Sequence, residues 1–437
     1  MKKIAFFLLF IPYINFAQKP FGAVPSQDQL NWHKLEYYAF VHFGPNSFTD
    51  KEWGDGTEKE EVFNPTQLDC RQWARICKAA GMKGIIITAK HHDGFALFPS
   101  KYSKHTVRES KWKDGKGDVL KELSAACKEY GLKMGVYISP WDRNHPTYGT
   151  PEYNDVFNNM LTEVLTNYGD LFEVWFDGAN GEGPNGKKQV YDFPRFNATV
   201  KKYQPHALIF SDAGPDIRWV GNENGFAGET CWHTMRRDEL FPAYDKPERL
   251  NIGDENGTHW LPAECDVSIR PGWFYHKNED EKVKSPEKLM EIWDKSVGRG
   301  ANLLLNIPVD NRGIIHENDE KALMEFKKLR ESSYPKNLVT KESIKKATDK
   351  SYTVTLSKPT EFNSIVIQEN IKFGQRIKSM SVQVNENGNW KTVGKATTVG
   401  YKRIVRFTNV TAKEVRIVFD EVLATPIISN IELYKSL

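Results

Sequence analysis

The sequence predicts a (β/α)8 barrel followed by a C-terminal antiparallel β-sandwich, and three observations predict it. From about residue 37 to 310, short apolar β-prone runs alternate with longer amphipathic helical patterns. Polar and acidic residues gather where these runs stop, as they do at the catalytic face of a barrel. After about residue 335 the apolar spacing falls to period two, with turn residues between runs. An open doubly wound sheet is the competing arrangement for the first part, but no GxGxxG turn follows the first run.

Taken in order, Lys2-Lys3, an apolar run from Ile4 to Ile14 and small or polar residues at Ala17-Gln18 have the layout of a secretory signal peptide. The run is too short to span a bilayer, no later stretch reaches spanning length, and no Cys follows it to take a lipid. Residues 1–18 are therefore set apart, and an exported protein is expected, periplasmic or extracellular. The barrel is assigned to residues 19–335, with strand candidates YYAFVHFG, KGIIITAKHHDGF, LKMGVYISPWD, FEVWFDG, ALIFSD, RWVGNENGFAGE, ECDVSIRP and NLLLNIPV. The helical patterns CRQWARICKAAGM and DVLKELSAACKEYGLK carry apolar residues three and four apart, and each meets a Gly before the next run. Residues 336–437 hold six alternating runs, from SYTVTLSKP to IISNIELYKSL, and form the sandwich. Its ending, ISNIELY, resembles the last strand of discoidin-like modules.

Composition removes whole classes of function. With 60 Lys and Arg against 57 Asp and Glu, and no dense basic stripe, nucleic acid is not the partner. A 39% hydrophobic content with 12 Trp excludes global disorder. The five Cys, an odd number without CxxC spacing, read as buried thiols rather than a disulfide framework or a zinc site.

The strand ends suggest sugar chemistry, because aromatic faces stack on pyranose rings while carboxylates supply nucleophile and acid. Asp177 is the candidate nucleophile: an apolar strand stops at it and glycines follow, which lets a ring approach the backbone. The alternative is an Asp that merely caps the next turn. His91 and His92 invite a metal, yet strand neighbours point to opposite faces, so both reach one ligand only if the strand has already ended. Hydrogen bonding to sugar hydroxyls suits them better, and no metal or other cofactor is expected.

The motifs VHFG (41–44), KEW (51–53), KHHDGF (90–95), GVYISPWD (135–142) and VWFDG (174–178) together resemble glycoside hydrolase family 29, the retaining α-L-fucosidases. The resemblance spans the barrel in motif order and implies an exo-acting, cofactor-free barrel enzyme with a C-terminal sandwich, acting on fucosylated oligosaccharides or glycoconjugates. It implies that Asp177 is the nucleophile and that His42, Glu52, Trp53, His91, His92, Tyr137 and Trp175 bind the fucose ring. RWVGNENG resembles the segment that carries the acid/base in the α-1,3/1,4-specific branch, which selects Glu223 over its rivals Glu229 and Glu264. Trp273 is expected to cover the C5 methyl group, and Arg270 to orient a carboxylate or hydroxyl unless it serves a structural salt bridge. Cleavage of α-1,3/1,4-linked fucose from Lewis-type glycans is the leading expectation. A broader α-L-fucosidase acting on α-1,2, α-1,6 or aryl fucosides and a non-catalytic fucose-binding protein are the alternatives.

Overall fold

A computed structural model describes residues 19–212 and 214–436; the expected signal peptide lies outside them. Eight parallel strands close into a barrel: β1 (Tyr37–Val41), β2 (Gly84–Lys90), β3 (Lys133–Ile138), β4 (Leu171–Trp175), β5 (Leu208–Ser211), β6 (Ile217–Trp219), β7 (Ala263–Ser268) and β8 (Asn302–Asn306). They pair in chain order, and β1 pairs with β8 through Tyr37 opposite Leu303. The open-sheet alternative is excluded.

Period-two geometry sorts the strand residues. Ala39, Ile85, Ile87, Val136, Val174, Ile209, Val267, Leu303 and Leu305 face the surrounding helices in one core, whereas Tyr38, Phe40, Ile86, Tyr137, Trp175, Leu208, Phe210 and Leu304 fill the barrel interior. Filling the interior with rings this large makes it a packed core with a floor on which a ligand can rest.

Helix α1 (Gln27–His33) precedes β1, and a capping box at Ser26 and Gln29 fixes its start. The outer ring comprises α2 (Cys70–Ala79), α3 (Val119–Tyr130), α4 (Glu152–Asn167) and α5 (Phe193–Tyr203). Asp69 accepts from the Arg71 and Gln72 amides to start α2, and Asp118 accepts from Lys121 to start α3. Gly81 (φ +86°) and Gly131 (φ +63°) turn the chain out of these helices in the left-handed conformation. The alternation then breaks: no helix joins β5 to β6. Only Arg218 and Trp219 of the predicted sixth run are extended in the barrel; residues 220–229 are irregular and open an excursion that includes α6 (Pro247–Ile252) and a short antiparallel pair, Thr234–Met235 with His259–Trp260. Buried Arg218 ties that excursion to β6 by donating to the carbonyls of Leu250 (2.7 Å), Trp232 (2.8 Å) and Leu261. Helices α7 (Pro286–Lys295) and α8 (Glu317–Ser333) complete the ring.

The C-terminal sheet contains β9 (Ile344–Thr348), β10 (Ser351–Glu369), β11 (Ile377–Glu386), β12 (Asn389–Thr397), β13 (Arg403–Val422) and β14 (Ile428–Tyr434). Its order is β9-β10-β13-β11-β12, all antiparallel, with β14 also on β10. Two pairs of predicted runs are each one long strand, β10 of 19 residues and β13 of 20, and their pairing shifts register between Thr355 and Thr360. Asn387 (φ +55°) and Gly388 (φ +91°) make the tight hairpin that Asn-Gly favours. A second core, including Val354, Ile365, Val382, Ile417 and Leu433, lies within this domain.

All five Cys are buried and free. Among the described residues no helix is long and apolar enough to cross a membrane.

Candidate active site

The inward series of each strand runs on into the site. Glu173 and Trp175 are followed at the same spacing by Asp177, Tyr38 and Phe40 by His42, and Leu208 and Phe210 by Asp212. Asp177 is held on both oxygens: the Tyr137 hydroxyl donates to Oδ2 (2.9 Å) and the Ala179 amide to Oδ1 (2.8 Å). Trp175 lies beneath, stacked between Phe210 (4.0 Å) and Tyr137 (5.2 Å). Gly178 has a steric reason, because a Cβ there would collide with the Asp212 carboxyl. Burial, reinforced by the Asp177 charge, raises Asp212 to about 6.

Strand β2 ends at Lys90, so His91 and His92 escape alternation and lie together, their rings 4.2 Å apart. His91 lies parallel to Tyr137 at 5.8 Å, and His92 Nε2 is 3.6 Å from Asp177 Oδ2. Burial holds His92 down at about 4 and His42 at about 3, so both are neutral at pH 7. For His42 the bonding sets the tautomer. The Asn306 amide nitrogen donates to Ser268 (2.9 Å) and to the Trp273 carbonyl (2.8 Å), so its oxygen accepts from His42 Nδ1 (2.8 Å). His92 Nδ1 lies 2.8 Å from Ser139 Oγ, which is also within 3.2 Å of the Trp141 carbonyl. The His42 Nε2 is left as a neutral acceptor, which suits a hydroxyl of an uncharged polyol. Among the described residues no three His, Cys, Asp or Glu side chains form a metal-ligand group.

Two aromatic surfaces border this floor. Trp53 is 56% exposed and packs edge-on against His92 (5.5 Å) and Trp141 (5.7 Å). Its loop is shaped by buried Glu58, which accepts from the amides of Asp55 (2.9 Å) and Gly56 (2.8 Å). Trp273 lies against His42 at 5.2 Å and donates from its indole to Glu223 Oε2 (3.2 Å). Part of Glu223 reaches solvent, yet desolvation by the walls around its carboxyl, together with the Asp177 and Glu52 charges, raises its pKa against the opposing effect of the indole.

One assignment changes, that of Arg270, and two others acquire structural partners. Glu52, expected on the sugar, also shapes the loop that carries Trp273: it accepts from the amides of Trp273 (2.9 Å) and Phe274 (3.1 Å) and pairs with His276 (2.6 Å). Trp175, likewise expected on the ring, donates its indole N–H downward to Glu264 (2.9 Å) and supports the site through its face. Arg270, expected to orient a substrate group, is buried with its Nε on both oxygens of Asp319 (3.0 and 2.9 Å) and Nη1 on Asp280 (2.9 Å); the alternative of a structural ion pair is what the fold contains. Of the rivals to Glu223, Glu229 pairs with Arg299 (2.6 Å) beside the C-terminal domain. Glu264 is buried deep in the barrel with Tyr38, Trp175 and Glu173 around it. Trp141, Asp212, Asp266 and Asn306 belong to the site's walls; Trp141 and Asp212 lie at the ends of predicted runs but were given no role from sequence, and Asp266 and Asn306 were not selected. Asp266, buried and holding the Trp219 indole at 2.8 Å, was discoverable from the period-two series Glu264, Asp266, Ser268.

A parallel barrel that sets one carboxylate among neutral imidazoles and aromatic planes, with a second carboxyl at the rim, defines a glycoside hydrolase. The alpha-L-fucosidase family model matches residues 19–329, and the F5/8 type C domain model matches residues 337–433. Alpha-L-fucosidase 1 of Arabidopsis thaliana is 40% identical over 449 residues, covering 95% of this chain and 88% of that one. A glycoside hydrolase 29 family member from an unknown rumen bacterium superposes with a TM-score of 0.91 at 44% identity, over 96% of this chain and 78% of that one. A Ruminococcus gnavus family 29 fucosidase in complex with fucose gives a TM-score of 0.87 at 31% identity, over 96% of both chains. The chain belongs to the α-L-fucosidase family, glycoside hydrolase family 29, and is a hydrolase of that type.

Proposed function

We propose that the protein is an exported, retaining exo-α-L-fucosidase that removes α-1,3- and α-1,4-linked fucose from branched glycans of the Lewis type. The observation that carries the assignment of roles is the contrast between its two carboxyls: Asp177 is gripped by Tyr137 and Ala179 on the barrel floor, whereas Glu223 has a raised pKa at the rim. Asp177 attacks the anomeric carbon as the glycosidic bond breaks, and Glu223 delivers its proton to the departing oxygen. In the second step Glu223, now a carboxylate, takes a proton from water, whose oxygen displaces Asp177 and releases fucose. His42 accepts from a ring hydroxyl and His92 bonds to another, while Trp53 and Trp273 offer faces to the apolar side of the sugar.

The α-1,3/1,4 preference is supported by the GNENG segment around Glu223, and export by the pattern of residues 1–18. The deciding experiment is product analysis of the mature protein with Lewis a or Lewis x trisaccharide, 2′-fucosyllactose and an aryl α-L-fucoside in parallel. Fucose released from the Lewis sugars in strong preference supports the reading. Preferential release from the other two makes the enzyme a broad fucosidase, and binding without turnover makes it a fucose-binding protein.

A further inference from the structure

The segment that follows Glu223 is held by the other domain. Side chains of the C-terminal domain satisfy four backbone groups between Glu229 and His233. The Glu229 carbonyl accepts from Thr397 Oγ1 (2.6 Å) and Arg403 Nη2 (2.7 Å), and the Cys231 amide donates to Thr398 Oγ1 (2.9 Å). Gln375 accepts from the His233 amide (2.9 Å) and donates to the Cys231 carbonyl (3.0 Å). Arg403 is itself buried and locked, with Nε on the Thr398 carbonyl (2.7 Å) and Nη2 also on Thr398 Oγ1 (3.1 Å).

The restraint continues to the carboxyl. Arg299 donates to the Ala227 carbonyl (2.6 Å), and the Ala227 amide bonds to the Lys295 carbonyl (2.9 Å). Asn251 then bridges the carbonyls of Phe226 (2.9 Å) and Val220 (3.0 Å), drawing the two ends of the Glu223 loop together, and Asn222 bonds to the same Phe226 carbonyl (2.9 Å). The barrel domain ties both ends of this loop, and the C-terminal domain reaches it one step further on, because Arg299, which holds the Ala227 carbonyl, also bonds to the carboxylate of Glu229 (2.6 Å), whose carbonyl Thr397 and Arg403 clamp.

We infer that the C-terminal domain is a positioning element for the acid/base, with Arg403 and Thr397 as positioning residues that act on Glu223 through the Glu229 carbonyl. This rests on the reading of Glu223 as the acid. Proton delivery to a leaving oxygen depends steeply on geometry, and a misplacement of about 1 Å costs on the order of a hundredfold. Loss of the clamp therefore weakens the step that needs the proton and spares the nucleophilic attack.

The test uses the full chain and compares Arg403→Met, Thr397→Val and Glu223→Gln on a Lewis trisaccharide and on a nitrophenyl α-L-fucoside whose leaving group needs little protonation. Arg403→Met is expected to lower kcat/KM on the trisaccharide by about tenfold or more and on the nitrophenyl substrate by less than about threefold. Thr397→Val is expected to show the same asymmetry at smaller size; its side chain is half-buried, so it serves if the Arg403 variant does not fold. Asymmetry in Glu223→Gln but in neither folded clamp variant overturns the clamp alone. Equal losses on both substrates in Glu223→Gln overturn the acid assignment, and the clamp with it.

Discussion

Replacing Trp273 by Phe tests whether Glu223 is the proton donor. The substitution keeps an aromatic face against His42 and removes one interaction, the indole N–H donated to Glu223 Oε2 at 3.2 Å. That bond stabilises the ionised carboxyl, so its loss raises the pKa of Glu223 further. A hydrogen bond to a charged group contributes about 1.5–3 kcal/mol. This one is long and solvent reaches the rim, so about half of that remains, roughly 0.7–1.4 kcal/mol. At 1.36 kcal/mol per unit, the shift is about half to one pH unit. The active enzyme carries Glu223 protonated, and the alkaline limb of kcat/KM on a Lewis trisaccharide therefore moves upward by that amount. The assay is initial-rate fucose release from pH 4 to 9, with wild type and variant in the same buffers. An alkaline limb that stays in place or moves down refutes the role of Glu223, even if the variant loses activity.

Three further outcomes are expected. Asp177→Ala should lose turnover by a factor on the order of a thousand or more while keeping its circular dichroism, and azide should restore activity with inverted product configuration; retained activity removes Asp177 as nucleophile. Arg270→Met should lower the melting temperature and leave KM of the folded enzyme unchanged, because breaking a buried ion pair costs about 3–5 kcal/mol; a raised KM at unchanged stability would return Arg270 to the substrate. Glu264 is raised by burial from the ordinary value near 4.5 to about 7, and Glu173 is raised by burial and by Glu264. The folded state thus holds the proton more tightly than the unfolded chain, giving stability that is fully present below about pH 4.5 and lost as pH rises through 7. Glu264→Gln should flatten this decline in denaturant titrations, and an unchanged slope would show that the pair does not titrate there.

What was legible in the sequence follows the range of the interactions involved. Strand and helix patterns depend on neighbours a few residues away, so the barrel and both glycine stops were readable. Asp177 and His42 were readable for the same reason, since each extends an inward series by one step of two. The end of β2 at Lys90, which brings His91 and His92 together, was readable as a condition: both could serve one ligand if the strand stopped there. Arg270 was not readable, because it is claimed by Asp319 from α8 and by Asp280, and local spacing cannot announce partners 49 and 10 residues away. The loop contacts of Glu52 were hidden likewise, their donors lying more than two hundred residues along the chain. No helix fits between β5 and β6, because β5 ends at Ser211 and β6 begins at Ile217, and the irregular excursion that follows β6 has no periodicity to announce it.

The five buried thiols give this protein its own reporters of local opening. Cys70, Cys77 and Cys127 sit in the core under α2 and α3, whereas Cys231 and Cys265 share a small separate cluster with Val220, Ala227, Ala263 and Ala301. A thiol reagent reacts with each only when its own neighbourhood opens, so labelling rates resolve two regions without an introduced probe. The second cluster adjoins both ends of the Glu223 loop. Modification at Cys231 thus counts how often that loop lets go of the barrel, and a bound fucoside should slow this count while leaving the thiols under α2 and α3 on their own clock.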